Sequence, residues 1–195
     1  GQQAMVTGVA TGQFNVVIGN EAGKALTSAD NNIFLGRVAA QNATEGDQNI
    51  AIGALSAGSL TCGCFNVFMG WYGGTNVTTG SNNIMIGCKV CAPSATGDCQ
   101  LAIGNGTDRW ITGDSSFNLV TNTIVPSSNN SKNLGSDATR WANIYTNDLQ
   151  LSNKGKTNDV DGTWGDYTIQ EGESDLFLIN NRNGKKYKFN LTEVS

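Results

Sequence analysis

Asn83-Ile84-Met85-Ile86-Gly87 decides the reading of this chain, because the same five-residue pattern returns along it at one spacing. Its copies are Asn15-Val16-Val17-Ile18-Gly19, Asn32-Ile33-Phe34-Leu35-Gly36, Asn49-Ile50-Ala51-Ile52-Gly53, Asn66-Val67-Phe68-Met69-Gly70 and Gln100-Leu101-Ala102-Ile103-Gly104. Each begins 17 residues after the last, with no insertion. A second column three residues earlier reads Gly12, Ala29, Gly46, Gly63, Gly80 and Gly97. Fixed self-similarity is the mark of a repeat architecture. The unit is too short for a helical hairpin and has no helical period. One strand, two Gly-containing corners and a second extended stretch make one rung of a parallel β-roll or β-solenoid. Six rungs about 4.8 Å apart would stack to roughly 29 Å.

The columns carry roles. Gly provides corners with positive φ or close approach between rungs. Stacked Asn side chains bond one another and nearby backbone at a turn, which is favoured here over any ligand role. Strand alternation sets the +1 and +3 positions (Val16/Ile18, Ile33/Leu35, Ile50/Ile52, Val67/Met69, Ile84/Ile86, Leu101/Ile103) on one face, read as the core. The intervening residues Val17, Phe34, Ala51, Phe68, Met85 and Ala102 then point outward. An exposed apolar stripe marks an interface. Three chains are therefore expected to pack these six residues around a common axis, with a dimer as the competing arrangement.

The unit G-x-x-N-φ-x-φ-G, with φ apolar, resembles the head repeats of trimeric autotransporter adhesins, whose own unit is shorter. It is also similar to segments of marine bacteriophage fibres such as Thr79-Gly80-Ser81-Asn82-Asn83-Ile84-Met85-Ile86-Gly87. Leu134-Gly135-Ser136 with Arg140-Trp141 and Ile144-Tyr145 resembles a segment common near the C-termini of phage tail fibres. The stretch from Asp161 to Phe189 resembles the C-terminus of cyanophage structural proteins. The resemblance implies a homotrimeric tail-fibre segment in a virion or outside the cell. Its implied partners are its own copies, other fibre or virion proteins, and a glycan or protein of the host surface. A purely structural virion or filament component and a bacterial surface adhesin are the alternatives.

Composition agrees with a non-catalytic role. The 195 residues include 25 Gly and no His, which removes His-based acid/base chemistry and the commonest metal ligand. A net charge of −4 disfavours nucleic acid, and no apolar run suffices for membrane insertion. Gly1-Gln2-Gln3 has neither initiator Met nor signal-peptide pattern, and reads as a processed or excised start. Residues 1–104 hold 8 charges and residues 105–195 hold 20, so the architecture changes near 105. The expected organisation is an all-β chain: a β-roll over 1–104, a cap over 105–125, a connector over 126–153 and a β tip over 154–195. Val125-Pro126-Ser127-Ser128-Asn129-Asn130-Ser131 is the most linker-like stretch. Asn183-Gly184 between Leu176–Asn180 and Tyr187–Leu191 is a hairpin signal, and this hairpin reads as a finished end that registers the trimer.

Candidate sites are few. Cys62, Cys64, Cys88, Cys91 and Cys99 are read first as disulfides stapling turns, with one odd thiol, ahead of buried thiols or a metal site. No cofactor is expected. Trp71-Tyr72 follow a strand at a corner, where they either stack on sugars or fill an interface. Arg182, Lys185, Lys186 and Lys188 are candidates for an acidic surface glycan, against the plainer reading of a solvated hairpin face. The acids Asp159/Asp161 and Glu171/Glu173/Asp175 form no recognised catalytic or Ca²⁺ loop. Asn42-Ala43-Thr44 and Asn76-Val77-Thr78 match glycosylation sequons, as chance gives in an Asn/Thr-rich chain.

Overall fold

A computed structural model describes residue 4, residues 11–128 and residues 132–192. The described residues are all-β. Six parallel strands, β1 (Val16–Ile18), β2 (Ile33–Leu35), β3 (Ile50–Ile52), β4 (Val67–Met69), β5 (Ile84–Ile86) and β6 (Leu101–Asn105), stack in chain order. Every residue pairs with the one 17 positions later, as in Val16 with Ile33 and Phe34 with Ala51. The first unit is thus the β-solenoid expected from the repeat. β7 (Asp108–Gly113) and β8 (Leu119–Thr121) then extend the same sheet antiparallel and end the parallel stack. The chain divides into two compact units between Pro126 and Ser127, within the linker-like stretch. Asn129, Asn130 and Ser131 of that stretch, like Gly1, Gln2 and Gln3, lie outside the described residues.

The inside and outside of the solenoid are reversed from the sequence expectation. Phe34, Ala51, Phe68, Met85 and Ala102 are each fully buried, and Val17 packs against them. The stripe assigned to a trimer interface is therefore this chain's own core. Period-two alternation gives the reason. Asn32, Asn49, Asn66 and Asn83 are fully buried, and a residue two positions after an inward Asn shares its face. The +1 and +3 residues consequently face out, with Val16, Ile18, Met69 and Ile84 exposed and the others half-buried. The lumen is narrow, and it holds side chains of very different size in successive rungs. Phe68 fits because its rung carries Gly73 and Gly74; a Cβ on Gly74 would lie 2.1 Å from the Phe68 ring. Ala39 and Ala40 lie in the rung of Phe34, while Leu60 fills the rung of Ala51.

Glycine acts as expected at two kinds of position. The residues after the strands, Gly19, Gly36, Gly53, Gly70 and Gly87, adopt φ of +124 to +138°. At Gly46, Gly63 and Gly80, an added Cβ would meet the next rung's carbonyl oxygen at 2.2–2.3 Å. At these positions a bare backbone is what leaves room for the next rung's carbonyl, although Ala29 stands in the same column.

The second unit is one antiparallel sheet of β9 (Asp148–Ser152), β10 (Asp166–Glu171), β11 (Leu176–Asn180) and β12 (Lys186–Lys188), in the order β12-β11-β10-β9. The β11–β12 hairpin turns at Gly184 with φ of +73°, as its Asn-Gly signal requires. Residues 148–152, assigned to the connector, instead form an edge strand of this sheet. Leu149 and Leu151 pair with Ile169 and Tyr167. Tyr187 of β12 is 47% exposed.

Candidate functional site

The solenoid's buried polar side chains are consumed in ladders and other bonds that run between rungs. In the first, each Asn Oδ1 accepts the backbone N–H of the next Asn: 2.9 Å from Asn32 to Asn15, 2.8 Å from Asn49 to Asn32, 3.1 Å from Asn66 to Asn49 and 2.9 Å from Asn83 to Asn66. The Nδ2 of Asn49 and Asn66 donates to the same Oδ1 and to the carbonyls of Gly63 and Gly80. Gln100 ends the ladder. Its Nε2 bonds Asn83 Oδ1 and the Gly97 carbonyl, and its longer side chain turns Oε1 back onto the Ser94 N–H at 2.7 Å. The structural reading of the Asn column is therefore the observed one.

A second ladder was not seen in the sequence. Asp30, Asp47, Cys64, Ser81 and Asp98 stand 17 apart, and each accepts a backbone N–H from the preceding rung. Different side chains share one duty, that of a short acceptor, so no identity column reveals it. A third ladder uses Thr27, Thr44 and Thr61, whose hydroxyls donate to the next Thr carbonyl at 3.0–3.3 Å. The sequon residues Asn42 and Asn76 spend their amides on the carbonyls of Gly58 and Ala92.

The expected disulfides do not form: all five thiols are free. Cys64 is occupied as a ladder acceptor for the Asp47 N–H, at 3.3 Å. Cys99 stands in the column of Phe65 two rungs further on, about 9.6 Å along the stack, outside disulfide reach of Cys62 and Cys64. Cys88 and Cys91 follow β5 at a different corner. Among the described residues, no group of three or more His, Cys, Asp or Glu converges on a metal-sized position.

The receptor candidates fall in different units. In the solenoid, Trp71 is 48% exposed, stacks edge-on against Tyr72 at 4.8 Å, and carries the Lys89 ammonium 4.8 Å over its ring. Lys89 was not among the sequence candidates; it stands one repeat after Tyr72. Tyr72 and Lys89 both hold left-handed φ, 56° and 55°, in a column completed by Glu21, Val38 and Leu55. In the second unit the basic candidates are partly engaged. Arg182 lies 4.1 Å over Trp164 and donates to its carbonyl at 2.7 Å, and Lys188 pairs with Asp175 at 2.8 Å. Lys185 and Lys186 are exposed. Asp161 is held below the ordinary carboxylate value of 3.8 by hydrogen bonds from the Thr163 backbone and side chain and from Asn158, so it orders a loop.

Compared with known proteins, the chain matches no family model, no curated protein and no solved structure. No helix among the described residues is long and apolar enough to cross a membrane.

Proposed function

We propose that this chain is a segment of a non-catalytic, homotrimeric fibre, of the kind bacteriophages use as tail fibres to attach to a host surface. One observation carries the reading. Six rungs stack without insertion, and their buried polar side chains are spent on inter-rung bonds, as suits a stiff spacer. The two apolar columns that such a spacer turns outward, from Val16 to Leu101 and from Ile18 to Ile103, are the kind of surface that sister chains cover. The Trp71–Tyr72–Lys89 corner offers an aromatic face with an adjacent cation for a surface glycan, and Lys185 and Lys186 offer exposed charge for an acidic one. The virion or extracellular location belongs to the same proposal.

Binding of fluorescently labelled protein to candidate host cells tests attachment. Saturable binding that falls at least about tenfold in Trp71→Ala supports the corner as a receptor site. Absence of binding to every host, with the assembly intact, moves the reading to a purely structural filament component. Release of reducing sugar from host polysaccharide would replace it with an enzyme.

A further inference from the structure

We infer that the apolar face of the C-terminal sheet, together with the connector before it, is where copies of this chain meet. The inference rests on the homotrimer reading above and assigns its contact surface. The registers place Leu149 and Leu151 of β9, Tyr167 and Ile169 of β10, Leu178 of β11 and Tyr187 of β12 on one face. Leu149, Leu151 and Tyr187 are each 45–47% exposed, and Leu151, Tyr167, Leu178 and Tyr187 line an open groove of about 390 Å³.

The opposite face is the more polar one, and its polar side chains pair within the chain. Thr168 bonds Gln150 at 2.8 Å, Gln170 bonds Asp148 at 2.9 Å and Lys188 pairs with Asp175. Phe177 and Ile179 on that face are half-buried.

The unit has no core of its own. Thr168 is the one residue buried among its described residues, and no apolar side chain there is buried. A sheet must bury its apolar face against a second layer to hold together. The connector compounds the deficit: Leu134, Trp141, Ile144 and Tyr145 are 62–94% exposed.

These facts choose the occupant. A surface that the fold needs covered at all times calls for a partner made whenever the chain is made, and further copies of the chain meet that condition. The size agrees. Four strands of three to six residues present a face of about 300 Å². The four connector side chains raise this to on the order of 800 Å² per copy, the area a stable interface buries on each partner.

The test compares the full-length protein with Leu151→Glu and Tyr187→Glu on the apolar face and Lys186→Gln on the opposite face. Light scattering on a sizing column gives the mass, and circular dichroism the fold. A carboxylate buried without a partner should weaken assembly at least about a hundredfold, so both Glu variants should run near 20.5 kDa at concentrations where wild type and Lys186→Gln are assembled. If a Glu variant fails to fold, serial dilution of wild type supplies the readout. A hydrophobic dye should then bind increasingly as the mass falls. Folded Glu variants that keep the wild-type mass overturn this surface while leaving the homotrimer reading standing. A wild type that is 20.5 kDa throughout overturns both.

Discussion

Replacing Asn66 by Ala removes one rung of the buried amide ladder, and the loss follows from its bonds. The Asn66 Oδ1 accepts the Asn83 N–H at 2.9 Å, and its Nδ2 donates to the Gly80 carbonyl at 2.9 Å and to Asn49 Oδ1 at 3.0 Å. Asn49 Oδ1 keeps the Asn66 backbone N–H at 3.1 Å, so it retains a partner. The Asn83 N–H and the Gly80 carbonyl are left without these side-chain partners inside the stack. A buried polar group left unsatisfied costs about 1–3 kcal/mol, which places Asn66→Ala at about 2–6 kcal/mol. Asn66→Asp should be worse. It keeps the acceptor but directs a carboxylate at the Gly80 carbonyl and Asn49 Oδ1, two further acceptors. Asn42→Ala is the control, since this exposed residue's amide donates one bond, to Gly58 at 2.7 Å, and its loss should cost about 1 kcal/mol or less. Urea unfolding at fixed protein concentration measures all three, because assembly makes stability concentration-dependent. The reasoning fails if Asn66→Ala lies within about 0.5 kcal/mol of Asn42→Ala.

Other consequences concern the lumen, the thiols and one loop. Phe68→Ala should cost about 3–5 kcal/mol, the range for a buried aromatic, and an effect below 1 kcal/mol would put the ring outside. Gly74→Ala should destabilise wild type, where its Cβ meets the Phe68 ring, and cost less in the Phe68→Ala background, where only the left-handed φ of +66° remains, at about 1 kcal/mol. Ala40 and Ala57 already hold left-handed φ in the same column, so a thermal-melt double-mutant cycle should show coupling of about 1–3 kcal/mol. Five thiols should react with an aromatic disulfide reagent in denaturant without reductant, and fewer than five would reinstate a disulfide. The depressed Asp161 carboxyl stabilises its loop fully above the ordinary value of 3.8 and progressively less as pH falls through its lowered value. The Thr163 amide resonance should therefore stay put above pH 4 and move only in stronger acid; a midpoint above 3.8 contradicts the hydrogen-bonding account.

The stacking, the strand positions and the Gly roles were legible because they rest on spacing, and 17-residue spacing survives any exchange of side chains. The facing of the strands was misread at Asn. Taken as a surface turn residue, it left Phe34 and Phe68 free to point outward; as a buried ladder, it fixes them inward by parity. A usable signal was present, since Val17, Phe34, Ala51, Phe68, Met85 and Ala102 vary in volume as a confined lumen demands, while their neighbours stay uniformly aliphatic. The acceptor ladder through Cys64 was hidden because Asp, Cys and Ser look unrelated until backbone N–H groups are counted. Within the candidate corner, Trp71 and Tyr72 were visible as an aromatic pair at an unusual place. Lys89 was not, because it reaches Trp71 from the next rung and only the stack brings them together.

Assembly is the claim on which the fibre account turns, and light scattering on a sizing column in reducing buffer tests it most directly. The account predicts a wild-type mass near three times the 20.5 kDa chain. A stable 20.5 kDa species that binds no hydrophobic dye would contradict it, since the chain would then be covering both apolar faces by itself.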